Sequence, residues 1–216
     1  MWYKVKRIMV WDKQVRPYKF TPTSSTLAYY PFVDDQIDQT WNTTLSASGT
    51  KQAIGYQFTT SGSNISINSP SGWTFFSFWT KVTSMTSSAA NASPFTKWWT
   101  MRFFYKHLAT PAYAKTFAFW TDNNWTIVTS NAVTFDTNTW YHFAYWSDSS
   151  NHVKAWINWQ LVWDTTVSGR RNNFDGAILQ WEYTTQTFSD LILENRLWTA
   201  TEVSNYYNST KSNYWL

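Results

Sequence analysis

The chain has 216 residues, of which 21% are aromatic and only 14% are charged. A chain of this length can form one domain with a sizeable buried core. We expect that domain to be all-β, because aromatic residues that alternate with Ser, Thr and Asn favour strands over helices. The sequence contains no cysteine, which excludes disulfides, thiolate metal sites and a cysteine nucleophile.

Positive charge is concentrated at the start of the chain. The formal net charge is +4, but residues 1–20 hold six basic residues and one acidic residue, so the remainder is close to neutral. We predict that residues 1–22 form a basic N-terminal arm with a strand and a linker. Its anchoring residues would be Lys4, Lys6, Arg7, Lys13 and Arg16. An acidic partner, nucleic acid and a solvated edge strand protected by lysines all explain such an arm, and the edge strand explains it best.

No apolar run is long enough for a membrane-spanning helix, so we expect no membrane partner. The first ten residues carry charges where a secretory signal needs an apolar stretch. A conventional signal peptide is therefore not expected.

Residues 23–216 are predicted to form the domain itself. Short apolar segments alternate with clusters of Asn, Asp, Ser and Gly, a spacing that favours a β-sandwich or barrel. We predict strands at 54–58, 63–68, 73–82, 99–106, 114–120, 125–129, 139–147, 152–157, 160–164, 176–182 and 187–194.

Residues 153–162 predict a β-hairpin with Asn158 and Trp159 at its turn. A two-residue type I′ turn needs positive φ at both central positions and usually has Asn-Gly there. Trp159 therefore occupies a position that suits glycine.

One short helix is predicted near the C-terminus. Thr199 and Glu202 have the spacing of a capping box, in which each side chain accepts a hydrogen bond from the other's backbone amide. Val203, Tyr206 and Tyr207 follow at helical spacing.

Several segments occur in a characteristic order: Tyr29–Phe32, Asp34, Asp35, Phe75–Lys81, Trp140–Ala144, Val153–Val162, Phe188–Leu193 and Leu197–Val203. In this order they resemble the laminin-G-like group of concanavalin A-like domains. The resemblance covers about residues 27–210 and implies a two-sheet antiparallel jelly-roll sandwich in which Trp79 and Trp140 are core aromatics. It does not imply one function, because the fold serves lectins, glycosidases, adhesion modules and virion appendages.

Tryptophan is frequent in this chain and glycine is rare. There are 17 Trp and 6 Gly, whereas average usage would give about 15 glycines. Trp41, Trp125, Trp159 and Trp198 stand where similar domains often carry Gly or a small residue. We hypothesise that the coding sequence comes from a lineage or virus that reads UGA as Gly, and that translation with a code in which UGA means Trp produced this amino-acid sequence.

A genuine tryptophan-rich surface is the alternative to this recoding hypothesis. In that case Trp98, Trp99, Trp120 and Trp125 would form an aromatic platform for sugar rings. The codons decide between the two explanations.

The sequence offers little catalytic chemistry. Glycoside hydrolysis needs two positioned carboxylates, yet Glu182 has no acidic neighbour in its strand and Glu202 is expected to cap the helix. There is no nucleophile elbow or phosphate-binding glycine-rich loop. The three histidines, His107, His142 and His152, lack metal-ligand spacing, and we interpret His142 as structural. We therefore expect no enzymatic activity.

A calcium site is the one cofactor that the resemblance implies. Laminin-G-like domains often hold Ca²⁺ at a rim, between an acidic residue after the first strand and an Asp at the start of the last one. Asp34 and Asp190 match those positions, and Asp35 is a third candidate. Oxygen ligands of this kind suit Ca²⁺.

The leading functional hypothesis is a non-enzymatic binding module at a cell or virion surface that recognises glycans or a surface partner. The alternative is a decorating domain of a virion or surface layer, anchored by its basic arm to an assembly partner. A glycoside hydrolase of this fold is a third hypothesis. Binding to nucleic acid is not expected.

Overall fold

The computed structural model describes residues 20–214, except for 34, 41, 47–48, 60–64, 68–71, 73, 86–91, 98–100, 107–115, 122–125, 135, 167–176 and 181–183. Within these residues the chain forms fourteen strands, one α-helix and a terminal 3₁₀ helix. The strands are β1 Thr26–Tyr30, β2 Thr50–Lys51, β3 Tyr56–Thr59, β4 Ile65–Ile67, β5 Phe75–Met85, β6 Ala92–Lys97, β7 Met101–Lys106, β8 Thr116–Thr121, β9 Thr126–Thr134, β10 Trp140–Ser147, β11 His152–Ile157, β12 Gln160–Thr166, β13 Ala177–Gln180 and β14 Thr184–Glu194. Helix α1 spans Ala200–Thr210, and the 3₁₀ helix spans Lys211–Tyr214.

The strands form two antiparallel sheets. The larger, eight-stranded sheet has the order β12-β11-β10-β5-β14-β3-β2, with β1 also paired to β14. The six-stranded sheet has the order β4-β13-β6-β7-β8-β9. The predicted all-β sandwich with one short C-terminal helix is confirmed.

Eleven strands lie at or near predicted segments, and three strands lie outside the predicted strand ranges. β1 overlaps residues 29–32, the first of the segments that carry the family resemblance, and β2 has only two residues. β6 contains Pro94 beside a break in its register with β7, between Ala92 and Phe95. Proline is tolerated in a strand mainly at such irregular positions, and it weakens the sequence signal for a strand.

The inner face of the eight-stranded sheet packs into the core of the sandwich. Alternate residues of β5 and β10, including Phe76, Phe78, Phe143 and Tyr145, are fully buried there. The Phe78 and Phe143 rings stack with centroids 5.3 Å apart, and Ile67 of β4 belongs to the same cluster. The period-two alternation of these strands thus directs one aromatic set inward.

The outer face of the same sheet packs against α1 and the 3₁₀ helix. Trp79 and Trp140 are buried, as predicted, but they lie on this outer face rather than between the two sheets. The Trp79 ring stacks on Tyr214 with centroids 4.0 Å apart, and its Nε1 donates a hydrogen bond of 3.2 Å to Thr210 Oγ1. The central strands of the large sheet are therefore buried on both faces.

The hairpin between β11 and β12 has the predicted turn. Asn158 and Trp159 have φ angles of 48° and 66°, the positive values that a type I′ turn requires. The His142 amide donates to Asn158 Oδ1 at 2.9 Å, and the Asn158 amide donates to the His142 carbonyl at 2.9 Å. Trp159 itself is 48% exposed.

The predicted capping box begins helix α1. The Glu202 amide donates to Thr199 Oγ1 at 3.2 Å, and the Thr199 amide donates to Glu202 Oε2 at 2.7 Å. Burial raises the pKa of the Glu202 carboxyl, but the bonds from Thr199 and the ion pair with Arg196 outweigh it and leave this pKa lowered. Among the described residues, no helix has the length and apolar character needed to cross a membrane.

Candidate binding site

A pocket of about 430 Å³ opens at the rim of the eight-stranded sheet, beside the 3₁₀ helix on the outer face. We call it the rim pocket. It is lined by Gln52, Ala53, Ile54, Lys81, Asn138, Thr139, Trp140 and Tyr214.

Lys81 and Trp140 form the sheet side of the rim pocket. They are direct partners in the β5–β10 register, so their side chains leave the sheet on the same face. The Lys81 ammonium lies 5.4 Å from the centroid of the Trp140 ring, a cation–π distance. Lys81 is half-buried and, among the described residues, makes no ion pair.

Two turns supply uncharged polar groups. Asn138 has a φ of 63°, a conformation that asparagine tolerates better than most residues, and its amide donates to the Val82 carbonyl at 2.7 Å. Thr139 follows it. On the opposite side Gln52 begins the loop that ends at Gly55, where the Gln52 amide donates to the Gly55 carbonyl at 3.0 Å.

Gly55 fixes the shape of that loop. Its φ is +78°, and a Cβ at this position would lie 2.2 Å from the Phe188 carbonyl oxygen. Only glycine fits both constraints. This close approach lets the neighbouring Ile54 bury its side chain at the base of the rim pocket.

Tyr214 closes the C-terminal side of the rim pocket. Its hydroxyl donates to Asp190 Oδ2 at 2.5 Å and lies 3.0 Å from Ser189 Oγ, and its ring centroid lies 4.9 Å from that of Trp140. These contacts hold the 3₁₀ helix against β14. The rim pocket thus presents one ammonium, two amides, a hydroxyl and apolar surface, and none of its eight described lining residues is acidic or a histidine.

The structure places two of the three predicted calcium ligands. Asp190 lies in an irregular part of β14, is 4% exposed, and accepts hydrogen bonds from Tyr29 at Oδ1 and from Tyr214 at Oδ2. Asp35 Oδ1 accepts from the Ile37 amide in its own loop at 3.1 Å. Asp34 lies outside the described residues, and no group of three acidic or histidine ligands occurs within them.

Asp38, in the same loop as Asp35, organises that loop. Its carboxylate is 2% exposed and accepts hydrogen bonds from the backbone amides of Tyr29, Thr40, Asn42 and Thr43 and from the hydroxyls of Thr40 and Thr43. This is the pattern of a carboxylate that replaces missing backbone partners in an irregular loop. Its oxygens are therefore used by the protein itself.

His142 is a buried structural side chain, as interpreted from the sequence. It is fully buried, its Nε2 lies 2.7 Å from Ser77 Oγ, and its ring packs 5.1 Å from Trp79 and 5.5 Å from Tyr206. Its Nδ1 has no hydrogen-bond partner among the described residues. Burial disfavours the charged ring and lowers the His142 pKa to about 3.

Several predicted residues lie outside the described part of the chain. They are the arm residues Lys4, Lys6, Arg7, Lys13 and Arg16, the carboxylate Glu182, His107, and the tryptophans Trp41, Trp98, Trp99 and Trp125. Trp120 lies in β8, and nothing is described of its side chain.

The rim pocket was not predicted from the sequence. A signal was present, because Thr137-Asn138-Thr139 immediately precedes the aromatic strand β10 and Lys81 interrupts the apolar alternation of β5. Their convergence with Gln52 depends on strand pairing between distant segments.

No protein-family model matches the chain, and no curated protein matches its sequence. Its fold is similar to the binding domain of Paraclostridial Mosquitocidal Protein 1, with a TM-score of 0.65 and 13% identity over 86% of this chain and 52% of that one. It is also similar to the binding domain of botulinum neurotoxin DC in complex with rat synaptotagmin II, with a TM-score of 0.66 and 11% identity over 86% and 52%.

A third similar structure is of botulinum neurotoxin type C, whose cell entry depends on interaction with two ganglioside molecules. Its TM-score is 0.65, and its identity is 13% over 86% of this chain and 51% of that one. The chain thus spans about half the length of these structures. Because the sequence identities are this low, the structural similarity shows a shared fold alone.

Proposed function

We propose that this chain is a non-enzymatic binding module that engages a glycan or a cell-surface partner through its rim pocket. The observation that carries the proposal is the composition of that pocket. Uncharged hydrogen-bonding side chains surround apolar surface there, the combination that fixes a polyhydroxylated ligand without reacting with it. A surface location accompanies this function.

The buried faces of the large sheet direct the proposal to the rim. Trp79 and Trp156, large rings that could stack on sugars if exposed, are covered on the outer face. A ligand therefore meets the chain at an edge rather than across the middle of this sheet.

Two of the similar structures support the proposal by analogy. One is of a neurotoxin that interacts with gangliosides, and another holds a binding domain with a protein receptor. Membership of the laminin-G-like group is a further part of the proposal, and it rests on the ordered sequence resemblance.

Calcium belongs to the proposal through the loop of Asp34 and Asp35. Asp190 fits Ca²⁺ poorly, because both of its oxygens already accept tyrosine hydroxyl protons. Calorimetry with Ca²⁺ should show heat that Asp35→Asn removes and Asp148→Asn, in the β10–β11 turn, leaves unchanged. No heat and no gain in melting temperature would exclude the site.

A glycan array probed with the full chain in the presence of Ca²⁺ tests the main proposal. Binding to a defined set of glycans is expected, with no release of reducing sugar from the bound polymers. An array without signal, together with no binding to intact cells, would refute the proposal. Hydrolysis of the bound glycans would instead identify the chain as a glycosidase.

The second candidate function is that of a decorating domain anchored by the basic arm. The observation that favours it is the concentration of positive charge before residue 20. The decisive deletion removes residues 1–19 and retains Phe20, which is 8% exposed and packs 5.1 Å from Tyr29. A binding module keeps its ligand after this deletion, whereas an anchored appendage loses incorporation into its assembly.

A further inference from the structure

One charged group lies among the described residues that line the rim pocket. Lys81 is the single cation among them, and none of them carries a carboxylate. In contrast, Lys154 lies 5.7 Å over the ring of Trp146 on the same sheet and is paired with Asp164 at 3.0 Å. Among the described residues, Lys81 thus has an aromatic neighbour like that of Lys154 but no acidic partner.

The position of the Lys81 ammonium is fixed by its neighbours. The strand register places it beside Trp140, whose ring is 5% exposed and supports the ammonium at 5.4 Å. The Trp140 ring is in turn held by Tyr214. A preorganised, unpaired cation in a half-enclosed pocket attracts an anion more strongly than a mobile surface lysine does.

The remaining groups of the rim pocket limit which anion fits. Phosphate sites usually combine several cations or the amides of a helix N-terminus, whereas the described lining of this pocket has one ammonium. Hydroxyl groups around a sugar ring can form hydrogen bonds with the side-chain amides of Gln52 and Asn138 and with the Thr139 hydroxyl. A volume of about 430 Å³ lies within the usual range for small-molecule sites.

We infer that the rim pocket binds an acidic sugar, with the ligand's carboxylate on Lys81 and its ring hydroxyls on Asn138, Thr139 and Gln52. This inference rests on the proposed glycan-binding function and specifies the ligand class for the same site. The monoanionic charge of a uronic or sialic acid matches the single cation, so the pair is neutral when bound.

Matched sugars test the inference by calorimetry on the full chain. Methyl glucuronoside and sialyllactose are compared with methyl glucoside and lactose, which differ from them by the acidic group or acidic residue. At least one acidic sugar should bind measurably better than its neutral counterpart, and its affinity should fall as salt is raised.

Variants assign that binding to the rim pocket. Lys81→Gln should lower the affinity for the acidic sugar by about 10- to 100-fold, the usual effect of removing a hydrogen bond to a charged group. Lys81→Arg should retain most of the binding, and Lys154→Gln should leave it unchanged because Lys154 lies outside the rim pocket. Thermal unfolding of each variant confirms that it is folded.

The outcomes separate this inference from the proposed function. Equal binding of acidic and neutral sugars, or acidic binding that survives Lys81→Gln, overturns the inference while glycan binding stands. Binding of inorganic phosphate in preference to both sugars also overturns it. Absence of binding to every sugar, on the array and in calorimetry, overturns the inference, and absence of binding to intact cells as well refutes the proposed function.

Discussion

The indole Nε1 of Trp198 donates a hydrogen bond of 2.5 Å to Oε2 of Glu194, whose side chain is fully buried. The same carboxylate accepts from Thr26 Oγ1 at 2.9 Å and pairs with Arg196 at 2.9 Å. The Trp198 ring stacks on Phe75 with centroids 4.5 Å apart. Trp198 thus joins β1, β5 and β14 to the start of helix α1.

Trp198→Gly should reduce the free energy of unfolding by at least about 3 kcal/mol, as for other large core aromatics. The loss combines lost packing on Phe75 with a weakened set of partners for the buried Glu194. Urea unfolding measures it. Trp198→Phe should lose less, because the stacking remains, and equal stability of Trp198→Gly and the parent would contradict this role.

Trp159→Gly should have the opposite effect. Trp159 has a φ of 66° and is 48% exposed, so it carries backbone strain with little compensating burial. Glycine adopts this conformation without a Cβ penalty, and the variant should gain about 1 kcal/mol in the free energy of unfolding. Trp159→Ala keeps the Cβ and serves as the control, and a gain as large as that of glycine would show that strain is not the cause.

The recoding hypothesis leads to different codon predictions at these two positions. Position 159 suits glycine, whereas position 198 suits tryptophan. We therefore expect the coding sequence to carry UGA at codon 159 and UGG at codon 198. UGG at codon 159 would remove the hypothesis for the turn.

Stability should fall on acidification because of His142. Its pKa is about 3 in the folded chain and about 6.5 in an unfolded one, so the unfolded state binds the extra proton between these values. The contribution of neutral His142 to the free energy of unfolding is complete above pH 6.5. It is lost as the pH falls towards 3, at up to about 1.4 kcal/mol per pH unit. Chemical denaturation at several pH values measures the slope.

His142→Gln is the control for this effect, because Gln can still hydrogen-bond Ser77 and does not titrate. The variant should show a shallower dependence of the unfolding free energy on pH between 6.5 and 4. An unchanged slope would assign the acid sensitivity to other groups.

Tyr214→Phe should loosen the C-terminal segment. The hydroxyl donates to Asp190 at 2.5 Å, and its removal leaves a 4%-exposed carboxylate with one fewer donor. We expect a loss of about 1–3 kcal/mol in the free energy of unfolding. Tyr29→Phe, which removes a bond of 3.2 Å to the same carboxylate, should cost less. Hydrogen exchange in α1 should increase more in Tyr214→Phe than in Tyr29→Phe.

The elements that follow from short-range chemistry could be predicted. The hairpin turn at Asn158 and the capping box at Thr199 each depend on residues within a few positions of one another, so local spacing is enough. The strand β6 was not predicted because Pro94 obscures its pattern.

The sequence by itself determined the class of fold, because alternation with a period of two buries aromatic residues on the faces of strands wherever those strands pair. It also indicated that Trp79 and Trp140 are buried. Only the tertiary structure decided what buries them, since the docking of α1 on the outer face depends on contacts such as Trp79 with Thr210, 131 residues apart. The rim pocket depends on the same long-range order. Lys81, Asn138 and Gln52 have no local relationship, and pairing of β5 with β10 and packing of a loop against β14 bring them to one site.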